Sequence, residues 1–183
     1  MKILFFKFGS IGDTLMTTPL VRQVRKNFPD AGIDYLIGNW SAGVLKKNKN
    51  LNQVIRFDED IFIKKQVFRW LQLIKKIKKR GYDIVFVLDK HWSFNLTAFL
   101  FGIKKRIGFD RLGRAGVFLT NKVIYDSDRH ELFYYLDLAA AIGLKVDYDD
   151  FGMDLPINNA DITYASRVFK KIRGKNIVGI APG

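Results

Sequence analysis

The opening segment narrows the fold most, because an apolar run passes at once into a turn of small residues and then into a helix start. Lys2-Ile3-Leu4-Phe5-Phe6-Lys7-Phe8 reads as a buried strand. Gly9-Ser10-Ile11-Gly12-Asp13 reads as the turn, with one carboxylate in the first turn of the helix that follows. Open α/β sheets bind ligands outside the carboxyl ends of their strands, where helix starts offer unpaired N–H groups. Gly9 and Gly12 carry no Cβ, so a substrate can approach the backbone there.

The rest of the chain repeats the alternation. Apolar periodicity predicts strands near 2–8, 32–37, 53–57, 82–88, 105–109, 121–125 and 176–181, with helices near 12–28, 41–46, 63–80, 92–102, 129–142 and 160–173. That order implies a Rossmann-like, mainly parallel sheet with helices on both faces. Pro19 falls inside the first helix and is expected to kink it, the alternative being a short turn before a helix with Thr18 as N-cap. Gly81, Gly143 and Gly174 each follow a helix as C-caps do. The 63–80 helix carries an apolar stripe of Ile63, Val67, Trp70, Leu71, Ile74 and Ile77, expected to pack on the sheet while its lysines face water. A basic amphipathic helix of this kind is also compatible with an anionic membrane surface.

Composition bounds the chemistry. Thirty-one Lys and Arg against 18 Asp and Glu give a net charge of +13, so an acidic partner is expected. The chain has no cysteine and two histidines, which argues against disulfides and thiolate or histidine metal sites; no cofactor is expected. The first apolar run is short and interrupted by Lys7, unlike a signal peptide, and no uncharged apolar run is long enough to span a bilayer. A cytoplasmic location follows as an expectation.

Asp13 has two readings from spacing alone. Ser10-Ile11-Gly12-Asp13 fits a capping box, with Ser10 at N-cap and Asp13 in place of the usual Glu or Gln. An ionised carboxylate at a helix start can equally serve as a base. The glycines do not match a dinucleotide fingerprint, and the chain contains no P-loop.

Taken together, Lys2-Ile3-Leu4, Ser10-Ile11-Gly12-Asp13, Thr18-Pro19, Arg22, Arg25 and Pro29 resemble the amino-terminal signature of the ADP-heptose:lipopolysaccharide heptosyltransferases, glycosyltransferase family 9. The resemblance continues through Ile84-Val85-Phe86-Val87-Leu88-Asp89, Arg106-Ile107-Gly108-Phe109, His130-Glu131 and Ile142-Gly143-Leu144. It ends at Ile177-Val178-Gly179-Ile180-Ala181-Pro182-Gly183, which is similar to the first strand of the family's second domain. Lys7 and Gly9 depart from it, standing where Arg and Ser are common.

The resemblance implies the N-terminal half of a GT-B glycosyltransferase: an acceptor-binding domain over residues 1–157, then a linker helix and the first strand of a truncated nucleotide-sugar domain over 158–183. It implies a metal-independent, inverting transfer of heptose from ADP-heptose to the lipopolysaccharide inner core, with Asp13 as the base. The donor would be held mainly by the other domain, and the fragment alone would be inactive. Its partners would be the anionic core acceptor, the nucleotide sugar and the inner face of the inner membrane, with no nucleic acid. Acceptor contacts are expected from Lys7, Gly9, Ser10, Gly12, Lys90, His91, Arg111 and Arg114, since basic groups at strand ends suit carboxylates and phosphates. Lys7 has a second reading, pointing between layers and pairing with a buried acid. The other function classes are a basic nucleic-acid-binding module and another Rossmann-like nucleotide-binding domain.

Overall fold

The computed structural model describes residues 1–111, 113, 116–170, 172, 178 and 180. Six strands, β1 (Lys2–Lys7), β2 (Gly32–Gly38), β3 (Gln53–Phe57), β4 (Ile84–Val87), β5 (Lys105–Asp110) and β6 (Asn121–Ile124), form one sheet in the order β3-β2-β1-β4-β5-β6. Every pairing is parallel. Seven α-helices accompany them among the described residues: α1 (Ile11–Met16), α2 (Thr18–Asn27), α3 (Asp60–Ile63), α4 (Val67–Lys78), α5 (Trp92–Leu100), α6 (Glu131–Ala140) and α7 (Asn159–Lys170).

The central strands are apolar on both faces because helices cover both. Ile3, Phe5, Ile33, Tyr35, Phe86 and Ile107 pack against Leu20, Val24, Leu132 and Leu136 of α2 and α6. Leu4, Phe6, Leu36, Val85 and Val87 face the other way, against Leu73 and Ile77 of α4 and Phe94 and Ala98 of α5. Period-two alternation thus decides which layer each strand residue joins. It also carries Lys7, two places beyond Phe5, into the α2–α6 layer, where it is 2 % exposed.

The proline problem is resolved by a break rather than a kink. The helix expected over 12–28 ends at Met16, a new one starts after Thr17, and Pro19 occupies its first turn, where a missing N–H costs nothing. The helix expected over 63–80 is likewise two pieces, α3 and α4, and the one at 41–46 is a short 3₁₀ turn, Ala42–Leu45. Gly81 (φ 65°) and Gly143 (φ 81°) adopt the left-handed conformation of helix C-caps. Asn158 caps α7 by accepting from the N–H groups of Ala160 and Asp161. Gly174 and most of the strand expected at 176–181 lie outside the described residues.

The stripe expected on the 63–80 helix is only partly right. Leu73 and Ile77 are buried and Trp70 and Ile74 half-buried, but Ile63, Val67 and Leu71 are exposed to solvent. No helix among the described residues is long and apolar enough to cross a membrane.

Candidate functional site

The strand order reverses between β1 and β4, so their carboxyl ends border the crevice where open α/β sheets take ligands. The turn after β1 carries Gly9 to Asp13, and the turn after β4 carries Asp89, Lys90 and His91. The site is therefore assembled by topology from segments some eighty residues apart.

Ser10 stands at the N-cap of α1 with φ 76°, a left-handed conformation unusual for a residue with a Cβ, and its hydroxyl makes no capping hydrogen bond. The capping-box reading therefore fails. Asp13 is half-buried, and among the described residues its carboxylate enters no hydrogen bond and no ion pair. Gly12 beside it is exposed, and a Cβ built there would meet nothing within 4 Å. Gly9 is buried, its missing Cβ facing the hydroxyl of Ser41 at 3.4 Å. An uncommitted acid thus sits beside open space.

Beneath this acid lies a buried polar network. Asp89 Oδ2 accepts the N–H of Phe8 at 2.5 Å, and Asp89 Oδ1 is 3.6 Å from Lys7 Nζ. Lys7 Nζ also reaches the hydroxyl of Tyr135, at 3.3 Å. Burial pushes the Asp89 carboxyl above its ordinary value; Lys7 and the Phe8 N–H oppose this, while the nearby charge of Asp13 adds to it. Burial pushes the Tyr135 phenol up, with the charges of Glu131, Asp13 and Asp89 contributing in the same direction. Alongside, Tyr35 shares a hydrogen bond of 2.8 Å with Thr17, and burial raises its phenol too.

Several expected acceptor contacts are spent inside the fold. Lys7 is enclosed between sheet and α6, so its ammonium serves Asp89 and Tyr135 rather than an incoming ligand. Lys90 pairs with Glu131 and lies 3.9 Å over the Tyr125 ring, and Tyr125 itself donates to Glu131 at 3.0 Å. Burial lowers the Lys90 pKa, but its hydrogen bonds to Glu131 and Tyr125 outweigh that and raise it overall. His91 is exposed and caps α5, its Nδ1 accepting from Ser93; His130 does the same for α6 toward Leu132. Arg111 is exposed at the end of β5, and Arg114 lies outside the described residues.

Two features escaped the reading of the sequence. Tyr135 joins the site from α6, more than 120 residues beyond Lys7, with no local signal to mark it, and Glu131, met in the sequence only as part of the His130-Glu131 resemblance, takes the charge of Lys90. Trp40, in the turn after β2, and Trp92, at the start of α5, are 67 % and 50 % exposed. The backbone N–H of Trp40 is held by the buried Glu59 at 2.7 Å. A surface pocket of about 320 Å³ lined by Lys47, Asn48, Asn50, Asp154, Leu155 and Pro156 belongs to other loops and does not include Asp13.

The chain is similar to known glycosyltransferases by sequence and by fold. It is 27% identical over 108 residues to lipopolysaccharide heptosyltransferase 3 of Escherichia coli, a match covering 58% of this chain and 32% of that protein. Lipopolysaccharide heptosyltransferase 2 of E. coli K12 aligns over 190 residues at 23% identity, covering 100% of this chain and 54% of the relative. A family 9 glycosyl transferase from Veillonella parvula superposes with a TM-score of 0.78 at 20% identity, over 99% of this chain and 55% of that one. E. coli ADP-heptose lps heptosyltransferase II superposes with a TM-score of 0.73 at 21% identity, over 92% and 50%. At its fullest alignment the chain thus spans about half the length of its relatives. The sequence model of glycosyltransferase family 9 (heptosyltransferase) matches residues 70–183, more than half of the chain, and the protein belongs to that family.

Proposed function

We propose that this chain forms the acceptor-binding half of an enzyme that moves heptose from ADP-heptose to the inner core of lipopolysaccharide. The observation that carries the reading is Asp13: a half-buried carboxylate with no hydrogen-bond or ion-pair partner among the described residues, next to open space at the switch point of the sheet. In the reaction, an acceptor hydroxyl oxygen bonds to the anomeric carbon of the donor sugar. Its proton passes to Asp13, and the bond from that carbon to the diphosphate breaks, with the electron pair leaving on ADP. Attack opposite the leaving group inverts the anomeric centre, and no metal takes part in the step. A positioned base of this kind supplies about 10²–10⁴-fold.

The remaining residues divide the other tasks. Asp89, paired with Lys7 and bonded to Phe8, holds the turn that carries Asp13. Arg111 and Arg114, after β5, engage carboxylates or phosphates of the acceptor, for which a guanidinium fork is suited. The net charge of +13 raises the local concentration of an anionic acceptor at the cytoplasmic face of the inner membrane. ADP-heptose is held by the nucleotide-sugar domain of the two-domain enzyme, so the 183-residue chain by itself gives no transfer.

The test is transfer of heptose from ADP-heptose to a heptose-deficient lipopolysaccharide by the complete gene product, followed by mass spectrometry. Asp13→Ala lowers turnover by about 10²-fold or more with an unchanged circular dichroism spectrum. Undiminished turnover removes Asp13 from the mechanism.

A further inference from the structure

The helix pair that follows β3 does not bury all of its apolar surface. In α4 the buried positions are Leu73 and Ile77, with Trp70 and Ile74 half-buried. Val67, Phe68 and Leu71 flank these positions and are 62 %, 73 % and 52 % exposed, and Ile63 at the end of α3 is 52 % exposed. At helical spacing, Phe68, Leu71, Lys75 and Lys78 share one solvent-facing stripe, the apolar pair leading and the lysines following. Contiguous apolar surface of this kind marks an interaction site.

The charge around it selects the partner. Between Ile61 and Tyr82 the chain has eight Lys and Arg residues and no Asp or Glu. A second copy of this chain carries the same +13 and would be repelled. Exposed Phe and Leu side chains have nothing to gain against a duplex backbone. A bilayer with anionic head groups satisfies both halves of the stripe: apolar side chains enter the boundary between head groups and acyl chains, while the lysines remain among the phosphates.

The topology gives the surface a place. Phe57 ends β3 at the carboxyl edge of the sheet, so α3 and the first turn of α4 stand at the edge that also carries Asp13. We infer that the exposed face of α3 and α4 docks on an anionic phospholipid surface through Ile63, Val67, Phe68 and Leu71, with Lys75 and Lys78 as its electrostatic contacts. This deepens the proposed function, resting on it for the lipid-linked nature of the acceptor; the docking itself requires no sugar transfer.

Flotation of the 183-residue chain with phosphatidylcholine vesicles, with and without phosphatidylglycerol, tests it. The chain floats with the phosphatidylglycerol vesicles and stays behind with phosphatidylcholine alone. The double variant Phe68→Ser with Leu71→Ser weakens binding roughly tenfold. Lys75→Gln and Lys78→Gln each weaken it about fivefold at low salt. All four side chains are exposed, so the circular dichroism spectrum stays unchanged. Equal binding to both vesicle types, or no response to the Phe68 and Leu71 changes, overturns the inference, as does tighter binding to a single-stranded oligonucleotide than to anionic vesicles. A dimer in sedimentation that Phe68→Ser dissociates overturns it in favour of self-association. Since the vesicles contain neither saccharide acceptor nor nucleotide sugar, these failures leave the transferase reading standing, and loss of that reading leaves the flotation result intact.

Discussion

The carboxylate of Asp89 holds the backbone N–H of Phe8 at 2.5 Å, tying the turn after β4 to the turn after β1 across the switch point of the sheet. The same carboxylate faces Lys7, whose side chain is 3 % exposed. Removing one partner of an enclosed pair costs more than the pair is worth, because the remaining charge has no water to return to. Asp89→Ala is therefore expected to destabilise the chain by about 3 kcal/mol in urea unfolding. Adding Lys7→Met to that variant should recover part of the loss. Equal stabilities for Asp89→Ala and the double variant would show that Lys7 does not depend on this carboxylate.

Two glycines beside the site answer to different constraints. A Cβ at Gly38 would lie 2.3 Å from the carbonyl of Phe8 and 2.5 Å from Glu59 Oε1, so backbone must move to admit it. Gly38→Ala is expected to cost about 1–3 kcal/mol or more. At Gly12 a Cβ meets nothing within 4 Å, and the residue lies in α1. Gly12→Ala should leave stability unchanged or raise it by up to about 1 kcal/mol. Under the proposed acceptor site the same methyl would narrow the approach to Asp13, so transfer by the complete gene product should fall while the melting temperature holds. A fall in both would assign Gly12 to the fold instead.

The alternation of strands and helices was legible because each central strand is apolar on both faces and each helix has its own period. What sequence could not supply was partnership at a distance. Lys7 has the composition of a ligand contact, and only the position of Tyr135 and Asp89 shows that its charge is used internally. The helix restarts after Thr17, one residue before the N-cap of the alternative reading, and Pro19 alone does not say whether a helix bends or restarts. The stripe of α4 misled for a related reason: apolar periodicity reports that a face could be buried, while the width of the sheet and the neighbouring α5 decide how much of it is.

The segment after α6 is strapped to α2 by Arg22, which donates to Asp150, to Asp154 and to the carbonyl of Gly152. Hydrogen bonds from Arg22 and from Lys26 hold the Asp150 carboxyl down at about 2, below its ordinary 3.8. A carboxyl depressed in the folded state contributes stability that is fully present above the unfolded value and is lost as pH falls through the folded one. The strap should therefore weaken between about pH 4 and pH 2. Asp150→Asn should flatten that part of the stability profile measured by urea unfolding at successive pH values. A profile unchanged by the substitution would mean that other carboxylates set the acid limb.

Asp13 offers a contrast between stability and activity that separates its two roles. A side chain that caps a helix costs about 1 kcal/mol or more when replaced by alanine. Here the Ser10 hydroxyl makes no capping bond and the Asp13 carboxylate bonds to nothing among the described residues, so little stability is at stake. Its favourable position in the first turn of α1 is worth roughly 0.3–1 kcal/mol at low salt. This is offset by the neighbouring negative charge of Asp89, whose own carboxyl Asp13 pushes upward. Asp13→Ala should accordingly change the unfolding free energy by less than about 0.5 kcal/mol, and the small difference should shrink as salt is added. A loss above about 1 kcal/mol that persists in high salt would identify Asp13 as a cap after all.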